Sequence, residues 1–213
     1  MKTRIGFLAM VILAAVAAGC NGVADGWTQQ FGSSAHDEAV RVSVDRKGNV
    51  YVVGWTTGTL PGQIRTGGTS DAFVRKISPS GRESWTRQFG SDTYDEASSV
   101  VADGQSNVYV VGFTWGGALP KQHSLGQDDA FVRKYSPSGN EMWTRQIGSD
   151  EADVASGVAV DRQGNIYVAG YTSGALPGQA NSEAADAFLR KYSRSGKELW
   201  TRQFGSAELV QAH

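Results

Sequence analysis

Between residues 27 and 205 the apolar residues fall in short runs punctuated by Gly, Pro, Asn and Ser, and no window of helical length repeats them every 3.6 positions. Val40, Val42 and Val44 alternate with Arg41 and Ser43, the period-two pattern of a half-buried strand. Val50 to Trp55 is apolar almost throughout, as a strand covered on both faces would be. Ala72 to Ile77 and Trp85 to Phe89 supply a third and a fourth strand, again rich in β-branched and aromatic residues. Asp45-Arg46-Lys47-Gly48-Asn49 links the first strand to the second, and Ser78-Pro79-Ser80-Gly81 the third to the fourth. Pro fixes one φ and Gly frees another, which is hairpin chemistry.

This pattern then repeats. Trp27-Thr28-Gln29-Gln30-Phe31-Gly32 returns at Trp85, Trp143 and Trp200, at spacings of 58, 58 and 57 residues. Asn49 to Gly54 matches Asn107 to Gly112 and Asn165 to Gly170, and Asp71 to Lys76 matches Asp129 to Lys134 and Asp186 to Lys191. Four-stranded antiparallel units at a fixed period, with a strand apolar on both faces, predict an all-β, propeller-type array of about three blades. A β-sandwich would not require a near-identical unit every 58 residues. The repeats divide as 27–84, 85–142 and 143–199, with a partial fourth at 200–205 and an irregular tail at 206–213. Three complete sets of strands leave one surplus fourth strand at Trp27 to Phe31 and two apolar blade faces without neighbours. Either a second copy completes a ring or the chain is a fragment of a longer repeat protein.

The segments Asp45 to Gly54, Asp71 to Lys76, Ser78 to Gly81 and Trp85 to Gly90 resemble the bacterial β-propeller repeat (SBBP type) of secreted and surface proteins. The resemblance covers essentially all of residues 27–205 and implies blades in an extracytoplasmic setting. It transfers no catalytic residue, and such proteins usually carry more repeats.

The amino terminus has a different pattern. Lys2 and Arg4 precede an uncharged apolar run, Ile5 to Ala18, too short for the roughly 20 residues of a membrane-spanning helix. Residues 1–19 read as a signal peptide and 20–26 as a short linker. Val16-Ala17-Ala18-Gly19-Cys20 resembles the lipobox of bacterial lipoproteins, with Ala17 where Leu is commonest. The resemblance implies that Cys20 is the lipidation site, carrying acyl chains such as palmitate, and that the lipid holds the protein to a membrane. Asn21, rather than Asp, follows Cys20, which in lipoproteins of this type favours the outer membrane over inner-membrane retention. Cys20 is the only Cys, so the mature chain has no disulfide and no other thiol nucleophile.

Charge excludes one class of partner. Loss of Lys2 and Arg4 with the signal leaves 18 basic residues against the 21 acidic ones, and such a body has no electrostatic footprint for nucleic acid.

Consecutive antiparallel strands reverse direction, so the tight turns share one face of the array and the long loops share the other. The long loops are Thr56 to Ser70, Thr114 to Asp128 and Thr172 to Ala185, with Ser33 to Asp37, Ser91 to Asp95 and Ser149 to Asp153 beside them. Function concentrates on loops held by a rigid scaffold, and these loops diverge where the blades otherwise agree. Trp115 replaces the Thr57 and Ser173 of the other blades; it either covers its own loop or offers a ring to a sugar or a protein partner. Trp115, His123, Arg65 and Tyr94 are the candidate ligand contacts.

Asp45, Asp103 and Asp161 each stand four residues before an Asn and read as turn-formers, being too few hard ligands for calcium. Asp37-Glu38 and Asp95-Glu96 are paired acids, but the third copy is Asp153-Val154. No nucleophile motif, phosphate loop or metal-spaced His pair is present, and no cofactor or metal is implied. Three readings stay open: a non-catalytic binding module or scaffold, an envelope carbohydrate-active enzyme with carboxylates at the propeller mouth, and a truncated copy of a longer protein.

Overall fold

A computed structural model describes residues 26–182 and 184–206. The signal segment, Cys20 and all but the first residue of the tail at 206–213 lie outside the described residues. Twelve strands form three sheets of four. The first sheet holds β1 (Asp37–Val44), β2 (Val50–Thr56), β3 (Asp71–Ile77) and β4 (Glu83–Phe89). β5 (Asp95–Ala102), β6 (Val108–Trp115), β7 (Asp128–Tyr135) and β8 (Glu141–Ile147) form the second. β9 (Asp153–Val160), β10 (Ile166–Thr172), β11 (Asp186–Tyr192) and β12 (Glu198–Phe204) form the third. Each sheet is an antiparallel meander in chain order. The sequence repeat is phased on Trp, whereas the sheets begin ten residues later at Asp37, so each Trp strand closes one sheet rather than opening the next. The one Trp segment without a sheet of its own, 27–31, is not a strand.

The turns explain why these residues stop and reverse where they do. Asp45 accepts hydrogen bonds from the Lys47 and Asn49 backbone N–H groups at 2.9 Å each, and from the Asn49 amide and the Tyr51 hydroxyl. Gly48 takes the positive φ, 78°, that this turn needs. Asp103 repeats the arrangement with Asn107 and Tyr109, and Asp161 with Asn165 and Tyr167. At Asp45 and Asp103 burial pushes the carboxyl pKa up, but the Asn, backbone and Tyr donors together outweigh it and the net shift is downward. These carboxylates are occupied by their own turns.

Blades pack face to face. Tyr51, Val53, Ala72, Val74, Trp85 and Phe89 from the first sheet meet Ala97, Val100, Val108, Val110 and Phe131 from the second in one buried cluster. Tyr109, Val111, Val132 and Ile147 meet Ile166, Val168, Phe188 and Tyr192 at the next seam. Both faces of β2 and β6 are therefore buried, as their unbroken apolar runs require. Trp85 lies over Gly139, where a Cβ would fall 2.7 Å from the ring, and donates from Nε1 to the Pro137 carbonyl at 3.0 Å. The Gly of the turn between β7 and β8 thus serves the positive φ and the seam together.

Candidate functional site

The two ends of the array differ. On the tight-turn face a cavity of about 640 Å³ is lined by residues of all three blades, among them Val44, Asp45, Asp103, Val160, Asp161 and Arg194. The first strands of the three blades therefore converge on one axis. Among the described residues no group of three His, Cys, Asp or Glu side chains is placed to hold a metal.

On the long-loop face the scaffold is held by two repeated carboxylates. Asp95 accepts from the Ser91 backbone N–H at 2.7 Å and from its hydroxyl, and Asp37 and Asp153 accept from Ser33 and Ser149 in the same way. Asp71 accepts from the Thr66 backbone N–H and from the Gln88 amide at 2.7 Å. Gln88 also donates to the Gly58 carbonyl and accepts from the Leu60 N–H, so one side chain from β4 pins the whole long loop. Gln146 and Gln203 repeat this. Burial, partly offset by the Ser91 and Thr114 donors and reinforced by neighbouring Asp71, pushes the Asp95 pKa up to about 6.

Over this frame lies a row of rings. His36 stacks on Trp55 with centroids 4.8 Å apart and planes 22° apart. Trp55 meets Tyr94 at 5.9 Å, Tyr94 stacks on Phe113 at 5.8 Å, and Trp115 meets Tyr94 edge-to-face at 6.1 Å. The row spans the seam between the first two blades. Its two ends are open, with Trp115 61% exposed and His36 exposed as well. Glu38 pairs in register with Trp55 and Glu96 with Phe113, so two carboxylates border the rings. The Tyr94 hydroxyl donates to Glu96 at 2.9 Å; burial first and that bond second push its pKa up. At the far end Asp128 pairs with Trp115 across β6 and β7, and its buried Oδ1 has no hydrogen-bond partner.

The structure thus brings two of the four candidate residues, Trp115 and Tyr94, together. Arg65 does not join them: its Nη2 donates to the Gly68 carbonyl at 2.6 Å and the Thr69 carbonyl at 3.3 Å, stapling its own loop. His123 is exposed in the second long loop and makes no ring contact with the row. Sequence reasoning missed Trp55, Phe113 and His36. The available signal was positional: His36, Tyr94 and Ala152 share one repeat position, and Trp55, Phe113 and Tyr171 another. The third blade carries Ala152, Val154 and Ser173 where the second has Tyr94, Glu96 and Trp115, so the row ends at the second blade.

Three stacked four-stranded meanders converging on an axis define a propeller-type array. The β-propeller repeat family matches residues 26–61, 84–120 and 143–177, together about half of the chain, and the chain belongs to that family. It is similar, at 27% identity over 190 residues, to the regulatory protein FlaEY of Caulobacter vibrioides, covering 80% of this chain and 20% of that protein. It is also similar, at 22% identity over 228 residues, to an uncharacterized WD repeat-containing protein, L264, of Acanthamoeba polyphaga mimivirus, covering 84% of this chain and 16% of that one. The chain spans a fifth or less of the length of these relatives.

Proposed function

We propose that this chain is a non-catalytic binding module of the bacterial cell envelope, held to the outer membrane by lipid on Cys20, which seats a carbohydrate on the ring row of the long-loop face. The row itself carries the reading. Rings bordered by Glu38, Glu96 and Asp128 offer apolar faces for sugar rings and acceptors for their hydroxyl groups. It stands on positions that differ between blades, at the ends of β2 and β6 and in the loops before β1 and β5, over a frame of carboxylates and Gln side chains that does not differ. The alternative of a carbohydrate-active enzyme draws little support from that frame. Asp71, Asp95, Asp129 and Asp153 are buried and each is bonded to the backbone of its own loop through one oxygen, whereas a glycosidase needs two carboxyl groups open to the scissile bond.

The test is a fluorescence titration of the detergent-free Cys20→Ala protein with soluble oligosaccharides, N-acetylglucosamine and glucose oligomers among them. Binding should quench Trp emission, and Trp115→Ala should weaken it at least about tenfold without moving the melting temperature. Equal affinity in Trp115→Ala and Tyr94→Ala would move the site off the row. Silence across the whole panel would overturn the carbohydrate assignment.

A further inference from the structure

The two internal seams show what each blade face is built to meet, and among the described residues one face of each kind is left open. On the trailing side of the third blade, Tyr167, Ala169, Ala187, Leu189, Trp200 and Phe204 hold the repeat positions of Tyr51, Val53, Ala72, Val74, Trp85 and Phe89. The first-blade set is at most 8% exposed; Phe204 is 59% exposed, Ala187 is exposed, and the others are half-buried. On the leading side of the first blade, Val42 and Val44 are 43% and 58% exposed, whereas Val100, at the repeat position of Val42, is 5% exposed beneath the preceding blade.

Part of that leading face is already covered, by residues 27–31. Trp27 donates from Nε1 to the Pro79 carbonyl at 3.1 Å, as Trp85 does to Pro137 at 3.0 Å. Phe31 meets Phe73 edge-on at 5.9 Å, as Phe89 meets Phe131 at 5.6 Å. Arg75 lies over Phe31 at 4.0 Å, as Arg133 lies over Phe89 at 4.2 Å. The segment therefore imitates the fourth strand of a preceding blade without being one. It fills the outer part of the seam and leaves Val42 and Val44, on the first strand, bare.

We propose that the trailing face of the third blade docks on the leading face of the first blade of a second copy of this chain, with Trp200 to Phe204 displacing Trp27 to Phe31. A blade face of four strands spaced 4.8 Å apart and about six residues long measures roughly 400 Å². Two such seams, counted on both partners, bury about 1,600 Å², the standard size of a stable interface. The contact is head-to-tail, and formed in both directions between two copies it closes the pair with two equivalent seams.

Sedimentation of the Cys20→Ala protein tests this. Trp27→Ala/Phe31→Ala removes the competitor and should tighten pairing at least about tenfold relative to the unaltered segment. Phe204→Asp and Val44→Asp change side chains exposed in the single chain, so each should keep its circular-dichroism melt and lose pairing; Phe204→Ala serves should the Asp variant fail to fold. A mixture of Phe204→Asp with Val44→Asp should pair again, because one of its two seams is intact. Pairing that appears only once the segment is removed overturns the displacement, since the segment then keeps its place in cis. Single chains at about 100 μM both with and without Trp27 and Phe31 overturn the proposal. So does weaker pairing on removing the segment, pairing indifferent to both Asp variants, or a mixture that stays apart.

Discussion

At the scale of the residue, the same side chain recurs three times with the same partners, so departures from the repeat are where individual roles show. Trp85 and Trp115 make the contrast. Trp85 is 8% exposed in a seam and its Nε1 is bonded, so Trp85→Ala should cost about 3–5 kcal/mol in denaturant unfolding. Trp115 is 61% exposed, and Trp115→Ala should change stability by under about 1 kcal/mol. Asp95 yields a prediction in pH. Its folded pKa of about 6 lies above the unfolded value, so the folded protein binds more protons between the two. Stability from this group is full below about pH 4 and is lost as pH rises through about 6, by at most about 3 kcal/mol. Asp153, pushed up chiefly by burial, adds the same sign. The melting temperature should therefore fall between pH 5 and pH 7.5, and Asp95→Asn should flatten that slope. An unchanged slope would mean that Asp95 is ionised throughout. The turn role of Asp45 was legible because Asp and Asn at that spacing have one common use; the role of Gln88 was not, since its partners lie 17 to 30 residues away.

At the scale of the element, all four strands of each blade were legible, because alternation and unbroken apolar runs leave few other conformations. Two bulges per blade were not, since one extra residue does not disturb so short a pattern. Register shifts leave Val40, Ser98 and Ser156 unpaired in the first strands, and Ser84, Met142 and Leu199 unpaired in the fourth. The second set accounts for two exposed large side chains, Met142 and Leu199, which sit at bulges on an edge strand rather than in a face. The first set accounts for a glycine in the middle of an otherwise bulky strand. The bulge turns the Glu96 carbonyl toward Gly112, where any Cβ would overlap it, and Gly54 and Gly170 face Glu38 and Val154 likewise. Gly112→Ala should consequently cost about 1–3 kcal/mol or more, with a shallower denaturant slope if the second blade loosens. Gly104→Ala, whose Cβ would meet nothing within 4 Å, should stay within about 0.5 kcal/mol. Comparable losses at the two sites would show that the bulge adapts to a side chain.

At the scale of the molecule, a stack of blades touching only their neighbours is close to one-dimensional, and its stability is the sum of blade and seam contributions. The period makes the blades look alike in sequence, but burial separates them. The second blade is covered on both faces, the first on one face and in part on the other, and the third on one face alone. Its strands show it: Val108 to Gly112 of β6 are all buried, whereas in β10 only Ile166, Val168 and Thr172 are. Local pattern does not show this, because β6 and β10 are nearly the same sequence and differ in whether a neighbouring blade covers them; the repeat count does, since three blades leave two faces without neighbours. Opening of the third blade uncovers one seam, and opening of the second uncovers two, so local unfolding should be cheapest in the third. In hydrogen exchange of the single chain, amides of β6 and β7 should be the slowest and those of β10 and β11 faster by about tenfold or more, with β2 and β3 between them. Trp27→Ala should speed exchange in β2 and β3 and leave β6 unchanged, because its ring covers the first blade alone. Equal protection in all three blades would mean that the array opens as one cooperative body and that the seams, rather than the blades, set its stability.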